Sequence, residues 1–252
     1  DAALSPRGSV ARGLTLCRPP GHHAGRARSE GFCLVNNVAV AAAYARSAHP
    51  SEVKRVLIFD WDVHHGQGTQ EIFWSDPTTL VVSVHRHEPG FYPGSGDASE
   101  VGEGLGLGYT VNVPLCAGYG DADLWMACAE VLLPAARRFR PDCILVSAGF
   151  DAAGGDPLGG CGVTPKLFGA LCTELRRMAD ELCRGRLLFA LEGGYSMEVL
   201  RECVGELLQA LIAPDVGRSS EPFAVPPPWL AAAAPPTQAS RAAVFAARAA
   251  HR

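Results

Sequence analysis

No two of the nine cysteines (Cys17, Cys33, Cys116, Cys128, Cys143, Cys161, Cys172, Cys183 and Cys203) stand as C-x-x-C. Neither a zinc ribbon nor a redox dithiol is therefore signalled, and the odd number does not suit a disulfide framework. Long apolar runs are missing too. No stretch long enough to span a bilayer is free of charges or turn residues, and the N-terminal segment has no apolar core of the kind that marks a signal peptide. Basic charge is not in excess: 22 Lys+Arg stand against 26 Asp+Glu, a formal net charge of −4. A surface built to neutralise phosphates would concentrate Lys and Arg, so direct nucleic-acid binding and membrane attachment are not expected. There is no G-K-[ST] for a phosphate-cradling loop. GEGLGLG (102 to 108) precedes a strand and opens no helix, which rules out a dinucleotide fingerprint, and DWDVHHG lacks the third oxygen ligand and terminal glutamate of a calcium loop. No internal repeat is visible.

What is present is the composition of one large globular domain: 252 residues, 48% hydrophobic and 19% charged. Cys17 in LTLC and Cys143 in DCILVSAG lie in apolar runs, where a thiol acts as a small hydrophobe. A reducing compartment, nucleus or cytoplasm, is expected. Strand-like runs LTLC (14 to 17), RVLIFD (55 to 60), TLVVSVH (79 to 85), YTVNVP (109 to 114), DCILVSAG (142 to 149) and RLLFALEGG alternate with helical stretches at 36 to 48, 123 to 139, 164 to 183 and 196 to 212. Strands apolar on both faces and alternating with helices predict an α/β fold, a mainly parallel sheet with helices on both faces. From Phe223 the sequence turns Ala- and Pro-rich. Its last stretch can form a helix, but few apolar anchors predict a solvated tail over 214 to 252, beside a domain over 1 to 213.

In such a sheet ligands bind beyond the carboxyl ends of the strands. Four strands end in reactive residues flanked by Gly or Pro: LTLC in RPPGHHAG, RVLIFD in WDVHHGQG, DCILVSAG in FDAAGGD, and LLFALE in GGY. Asp60, Asp62 and His64 alternate in an extended segment and face one way. Asp62 and His64, with Asp151 from another strand, suit a three-ligand metal centre with an open position for water, zinc above all, with manganese or iron also admitted by mixed carboxylate and imidazole donors. His22 and His23 follow a rigid Pro-Pro-Gly. An adjacent pair cannot readily chelate one metal, so a general base with a second imidazole beside it is the better use. Tyr195, after Gly-Gly, suits a donor to a developing oxyanion.

Together RPPGHHAG, EGFCLVNNVAVAA, FDWDVHHGQGTQEIFW, GFYPGSGD, SAGFDAAGGDPLGG and LEGGY resemble the zinc-dependent histone deacetylases of the arginase-deacetylase fold, from about Leu14 to Ile212. HHGQGTQ, HRHEPGFYPGSG and the GDPLG loop are similar to class II members, especially plant and algal ones. The resemblance implies zinc ligands Asp62, His64 and Asp151. It makes His23 the general base and then acid, His22 beside Asp60 an electrostatic helper, and Tyr195 the oxyanion donor. It implies an acetyl-lysine tunnel walled by Phe32 and Tyr92, with the Gly31 carbonyl receiving the substrate amide. Gln67 stands where the family has Asp or Asn, and a neutral amide should leave His23 less basic than a carboxylate would. Tyr92 replaces the usual Phe. Leu158 occupies the place of a gatekeeping glutamate in the polyamine-selective relative, which favours acetyl-lysine over a cationic polyamine.

A structural potassium ion is implied at Asp60, Asp62, His64, Ser83 and the Val84 carbonyl, and a second near Phe73, Asp76, Thr79 and Tyr109. The family's substantial portion before PPGHHA is expected to be shortened or absent here. The resemblance thus implies deacetylation of histone tails or other acetylated proteins, a part in transcriptional repression and a corepressor complex as partner. A silent scaffold and a deacetylase of small acetylated amines are the alternatives.

Overall fold

The computed structural model describes residues 12–214 and 222–251. Its six strands are β1 (Arg12–Thr15), β2 (Val56–Asp60), β3 (Thr79–Arg86), β4 (Thr110–Leu115), β5 (Cys143–Ala148) and β6 (Leu187–Leu191). They form one sheet in the order β1-β6-β5-β2-β3-β4, every neighbouring pair parallel. The expected α/β fold with a parallel sheet is therefore what the chain adopts.

The pleat divides the core. Val56 and Ile58 of β2 join Cys143 and Leu145 of β5 against the buried face of α1 (Asn37–Ala48) and Phe73 of α2 (Gln67–Phe73). Leu57, Phe59, Ile144 and Val146 point the other way, into a larger cluster with α3 (Asp121–Ala127), α4 (Leu133–Phe139), α5 (Pro165–Cys183) and α6 (Met197–Ile212). Alternate residues of one strand thus serve two helical layers, and β2 is buried along its whole length. Trp61 leads the second face, with Phe59, Phe168 and Phe189 ring centres 5.7, 5.7 and 5.8 Å away. Six of the nine thiols are buried.

The helix expected over 123 to 139 begins earlier, at Asp121, and contains a π-helical turn over Cys128–Leu132. The cause is Pro134: its ring collides with the carbonyl of residue 130 in a regular α-helix, and widening the preceding turn relieves this.

The last stretch is not the solvated appendage its composition suggests. After the short α7 (Pro228–Ala231), α8 (Gln238–Ala250) lies along β4, burying Val244 and Ala247. Thr237 N donates to Asp123 Oδ1 at 2.8 Å, Arg248 pairs with Glu130 at 2.8 Å, and Phe223 meets Trp125 at 5.3 Å. Small alanines let α8 approach closely, so few anchors suffice. The boundary expected at 213/214 adjoins residues 215–221, which lie outside the described residues.

Val244→Asp places an unpaired carboxylate in this contact and should lower the unfolding free energy by about 3 kcal/mol. Urea unfolding reads it directly, and an unchanged midpoint would mean that α8 contributes no buried surface.

Candidate metal and catalytic site

From β2 the chain runs outward through β3 to β4, then returns to β5 on the other side of β2. This reversal opens a crevice beyond the strand ends. Asp60 closes β2, Asp62 and His64 follow it, and Asp151 follows β5. His22 and His23 come from the loop after β1, and Tyr195 from the segment after β6. Asp62, His64 and Asp151 each offer a ligand atom, all within 4.8 Å of one another. His64 Nδ1 lies 3.1 Å from both Asp62 Oδ1 and Asp151 Oδ2. The backbone fixes each member. His64 N donates to Asp62 Oδ1 at 2.9 Å, Val63 N to Asp151 Oδ1 at 2.9 Å, and Gly193 N to Asp62 Oδ2 at 2.8 Å. Phe91 stacks on the His64 ring, 5.1 Å away and 2° from parallel.

Charge balance tests whether this trio fits a metal. Asp60, Asp62, Asp151 and Glu192 are all buried, and the basic groups paired with the first three are histidines. Burial, then the charge of Asp62, pushes the Asp151 carboxyl up to about 7. Burial also raises Asp62, but the His22, His64 and His23 rings outweigh it and hold that carboxyl down. His64 is raised to about 10, burial being overcome by its hydrogen bonds to Asp151 and Asp62. Adjacent carboxylates at this depth need a cation between them. Two oxygens and one imidazole nitrogen, with no thiolate, suit zinc and the harder divalent metals. The residues fit.

The two neighbouring histidines diverge. His22 Nδ1 sits 2.9 Å from Asp60 Oδ2. Burial opposes its charge, but Asp60, Asp62 and Glu192 outweigh burial and raise its pKa well above the ordinary value. His23, with its ring 3.9 Å from that of His22, is depressed to about 3, by burial first and then by the charge of His22. Its Nδ1 lies 2.6 Å from Gln67 Oε1. An amide oxygen can only accept, so Nδ1 carries the proton and Nε2 is left with its lone pair. Gln67 is the first residue of α2, capped by Gly66, and its side chain goes to His23 rather than to the helix end.

Tyr195 is 38% exposed at the mouth. Burial and the Asp62 and Asp151 charges push its phenol far up, so it remains a donor. Phe32 meets its ring edge-on at 5.9 Å, and Tyr92 meets His23 edge-on at 5.0 Å. Phe32, Tyr92 and Leu158 are exposed large apolar residues. At Gly31 a side chain would begin 2.4 Å from His23 Cδ2 and 2.8 Å from the Tyr92 oxygen.

Ser83 Oγ lies 2.8 Å from His85 Nδ1, while His85 Nε2 faces the Gly96 carbonyl at 3.0 Å. The carbonyl accepts the hydrogen bond of Nε2–H, so Ser83 donates to Nδ1 and keeps its oxygen lone pairs. At the place of the second expected potassium, Arg46 already supplies a cation. Its guanidinium is 2.7 Å from Asp76 Oδ2 and 5.8 Å from the Phe73 ring centre.

Three participants were not singled out in the sequence. Glu192 accepts from Gly21 N and His22 N at 2.6 and 3.0 Å and from Ser147 Oγ at 3.0 Å, tying the histidine loop to β5 and β6. Its position at the end of β6, before Gly-Gly, was the available signal. Asp156 accepts from Leu158 N at 2.9 Å and from Tyr195 N at 2.7 Å, linking the GDPLG loop to the backbone that carries the phenol. Asp-Pro-Leu-Gly carries the turn signature that could have marked it. The stack of Phe91 on His64 had no local signal.

Residues 2–211 match the histone deacetylase domain family. "Histone deacetylase 15" of Arabidopsis thaliana is 50% identical over 207 residues, covering 81% of this chain and 36% of the relative. "Polyamine deacetylase HDAC10" of Homo sapiens is 47% identical over 228 residues, covering 89% and 33%. "Histone deacetylase clr3" of Schizosaccharomyces pombe is 44% identical over 223 residues, covering 87% and 32%. The chain therefore spans about a third of the length of these relatives. A crystal structure of the "HDA15 HD domain" superimposes with a TM-score of 0.83 at 42% identity, over 99% of this chain and 63% of that one.

A side chain at Gly193 would begin 2.1 Å from Asp151 Oδ2 and 2.7 Å from Asp62 Oδ2. Gly193→Ala should spread the carboxylates and weaken zinc binding by about tenfold or more in a chelator competition. Unaltered affinity would mean that the ligand trio does not depend on this close approach.

Proposed function

The chain belongs to the histone deacetylase family, and we propose that it hydrolyses the acetyl amide of acetyl-lysine in histone tails or other proteins, using zinc held by Asp62, His64 and Asp151. The observation that carries this reading is the convergence of those three ligand atoms beside a neutral His23. When bound, zinc supplies Lewis-acid polarisation of the acetyl carbonyl and of the attacking water.

The chain's own residues do the rest. The free lone pair on His23 Nε2 takes the proton of the attacking water. The imidazolium so formed returns a proton to the departing lysine amine, leaving acetate and free lysine. His22, held cationic by Asp60, stays fixed and adds positive charge to the site. The Tyr195 phenol, kept protonated, donates to the developing oxyanion. Phe32 and Tyr92 flank the lysine stem, and the Gly31 carbonyl accepts the substrate amide. Leu158 presents no carboxylate to a second ammonium. That supports a protein substrate over a polyamine, although the human relative named for polyamines is almost as similar as the plant deacetylase. Asp60, Asp62, His64, Ser83 and the Val84 carbonyl are proposed to hold a potassium ion, a role supported by the free lone pairs of Ser83. Gln67 is proposed to orient His23.

We further propose that the protein acts in transcriptional repression, alone or within a corepressor complex, in the nucleus or cytoplasm. Among the described residues no helix is long and apolar enough to cross a membrane.

The test is hydrolysis of an acetyl-lysine peptide by the purified chain, with and without zinc and a hydroxamate inhibitor, in competition with acetylspermidine. Zinc-dependent, hydroxamate-sensitive peptide turnover is expected. Preference for acetylspermidine would overturn the substrate assignment, and no turnover by the zinc-loaded chain would favour a scaffold. His23→Ala should lower kcat by about 10²- to 10⁴-fold with zinc retained. Asp151→Ala should lose the zinc itself, measured by elemental analysis.

A further inference from the structure

Gln67 is a symmetric choice made in one direction. Its amide is nearly the same shape whichever end faces His23, but the chemistry is opposite. With the oxygen toward His23, Nδ1 holds the proton and Nε2 is a base. With the NH2 toward His23, Nδ1 must accept, the proton moves to Nε2, and the nitrogen assigned to the water has no lone pair. Burial of His23 does not decide between these orientations, and neither does the packing of a planar amide. Within the protein, the partner at the far end of Gln67 can.

That partner is Tyr92. Gln67 Nε2 donates to the Tyr92 oxygen at 3.2 Å, and the Tyr92 hydroxyl donates to Glu30 Oε1 at 3.2 Å. Arg28 Nε lies 3.0 Å from the other oxygen of Glu30. Both oxygens of Glu30 accept, one from Arg28 and one from Tyr92, so the single phenolic proton of Tyr92 is committed to it. The Tyr92 oxygen can then only accept from Gln67. This leaves the Gln67 oxygen for His23, 2.6 Å away.

We propose that Glu30 and Tyr92 are positioning residues: by fixing the direction of a hydrogen-bond relay from the rim, they hold the Gln67 amide with its oxygen toward His23 and so set the imidazole tautomer. The inference deepens the deacetylase reading, which makes His23 the base, and rests on it for its catalytic meaning. The same orientation serves both halves of the reaction, because Nδ1 is a donor in the neutral ring and in the imidazolium alike. Tyr92 thereby has a function beyond its flat face, and Glu30 acts at the mouth without touching the reacting atoms.

Nitrogen-15 NMR of histidine-labelled chain, loaded with zinc, reads the tautomer of His23, its signals assigned by their loss in His23→Ala. The wild-type chain should show Nδ1–H alone. In Glu30→Gln the carboxamide can donate to Tyr92, which frees the phenolic proton to approach Gln67. In Tyr92→Phe the relay is cut. Both residues are partly exposed, so folding should survive. Each variant should populate the Nε2–H tautomer and lower kcat by about two- to tenfold, Glu30→Gln at unchanged KM, since only the competent fraction turns over. Gln67→Glu removes the choice, because both its oxygens accept. Adding Glu30→Gln to Gln67→Glu should therefore cause no further loss, a coupling that a merely structural role would not produce. A pure Nδ1–H tautomer in both single variants, or full additivity with Gln67→Glu, would overturn the relay. The NMR outcome stands even if the wild-type chain hydrolyses no acetyl-lysine peptide, so failure of the relay and failure of the proposed function are told apart.

Discussion

Asp62 and Asp151, both buried, approach the same nitrogen of His64, and the rest of the site answers to that crowding of negative charge. Two such groups at the carboxyl ends of adjacent regions of a parallel sheet have no water to screen them. The fold places them there because β2 and β5 flank the reversal of the sheet, where the chain leaves the two strand ends in opposite directions. The backbone meets them with N–H groups from Val63, His64 and Gly193. Gly193 has no Cβ because the carboxylate oxygens occupy the space where one would be.

The same field separates His22 from His23. The two rings are neighbours in sequence and space, yet one is raised and the other depressed. His22 lies among Asp60, Asp62 and Glu192, and having become the local cation it pushes protonation away from His23. A buried site can thus hold a permanent charge and a titratable base side by side, provided that the carboxylates are distributed unequally. Tyr195 responds to the same anions in the opposite sense, retaining its proton.

Much of this was legible in the sequence because strand-end motifs are local. The Asp-x-Asp-x-His alternation declares a shared face from period two alone, and Pro-Pro-Gly-His-His declares a rigid loop. The parallel sheet followed from apolar runs such as VLIFD. Contacts that join distant segments were less legible. Phe91 is one residue from the Tyr92 expected in the tunnel wall, but nothing local says that it stacks on His64. Glu192 and Asp156 hold the histidine loop and the Tyr195 backbone, contacts between segments far apart in sequence. The docking of α8 was hidden for another reason: an alanine-rich face carries little hydrophobic signal in sequence, although it permits a close approach to β4.

An amide at position 67 follows from the electrostatics rather than departing from them. Asp60, Asp62, Asp151 and Glu192 already crowd the crevice, and a carboxylate against His23 would add a further negative charge beside the ring whose low basicity the site maintains. A neutral amide avoids this charge but loses the automatic acceptor character of a carboxylate, because it can turn either end to the imidazole. Directional information must then come from somewhere that can hold a charge without a large desolvation penalty. The rim is such a place: Glu30 and Arg28 pair in water-accessible positions, and Tyr92 carries their sense inward through one hydroxyl. The negative charge that would be unfavourable at the centre is thereby kept at the surface, and only its hydrogen-bond direction reaches His23.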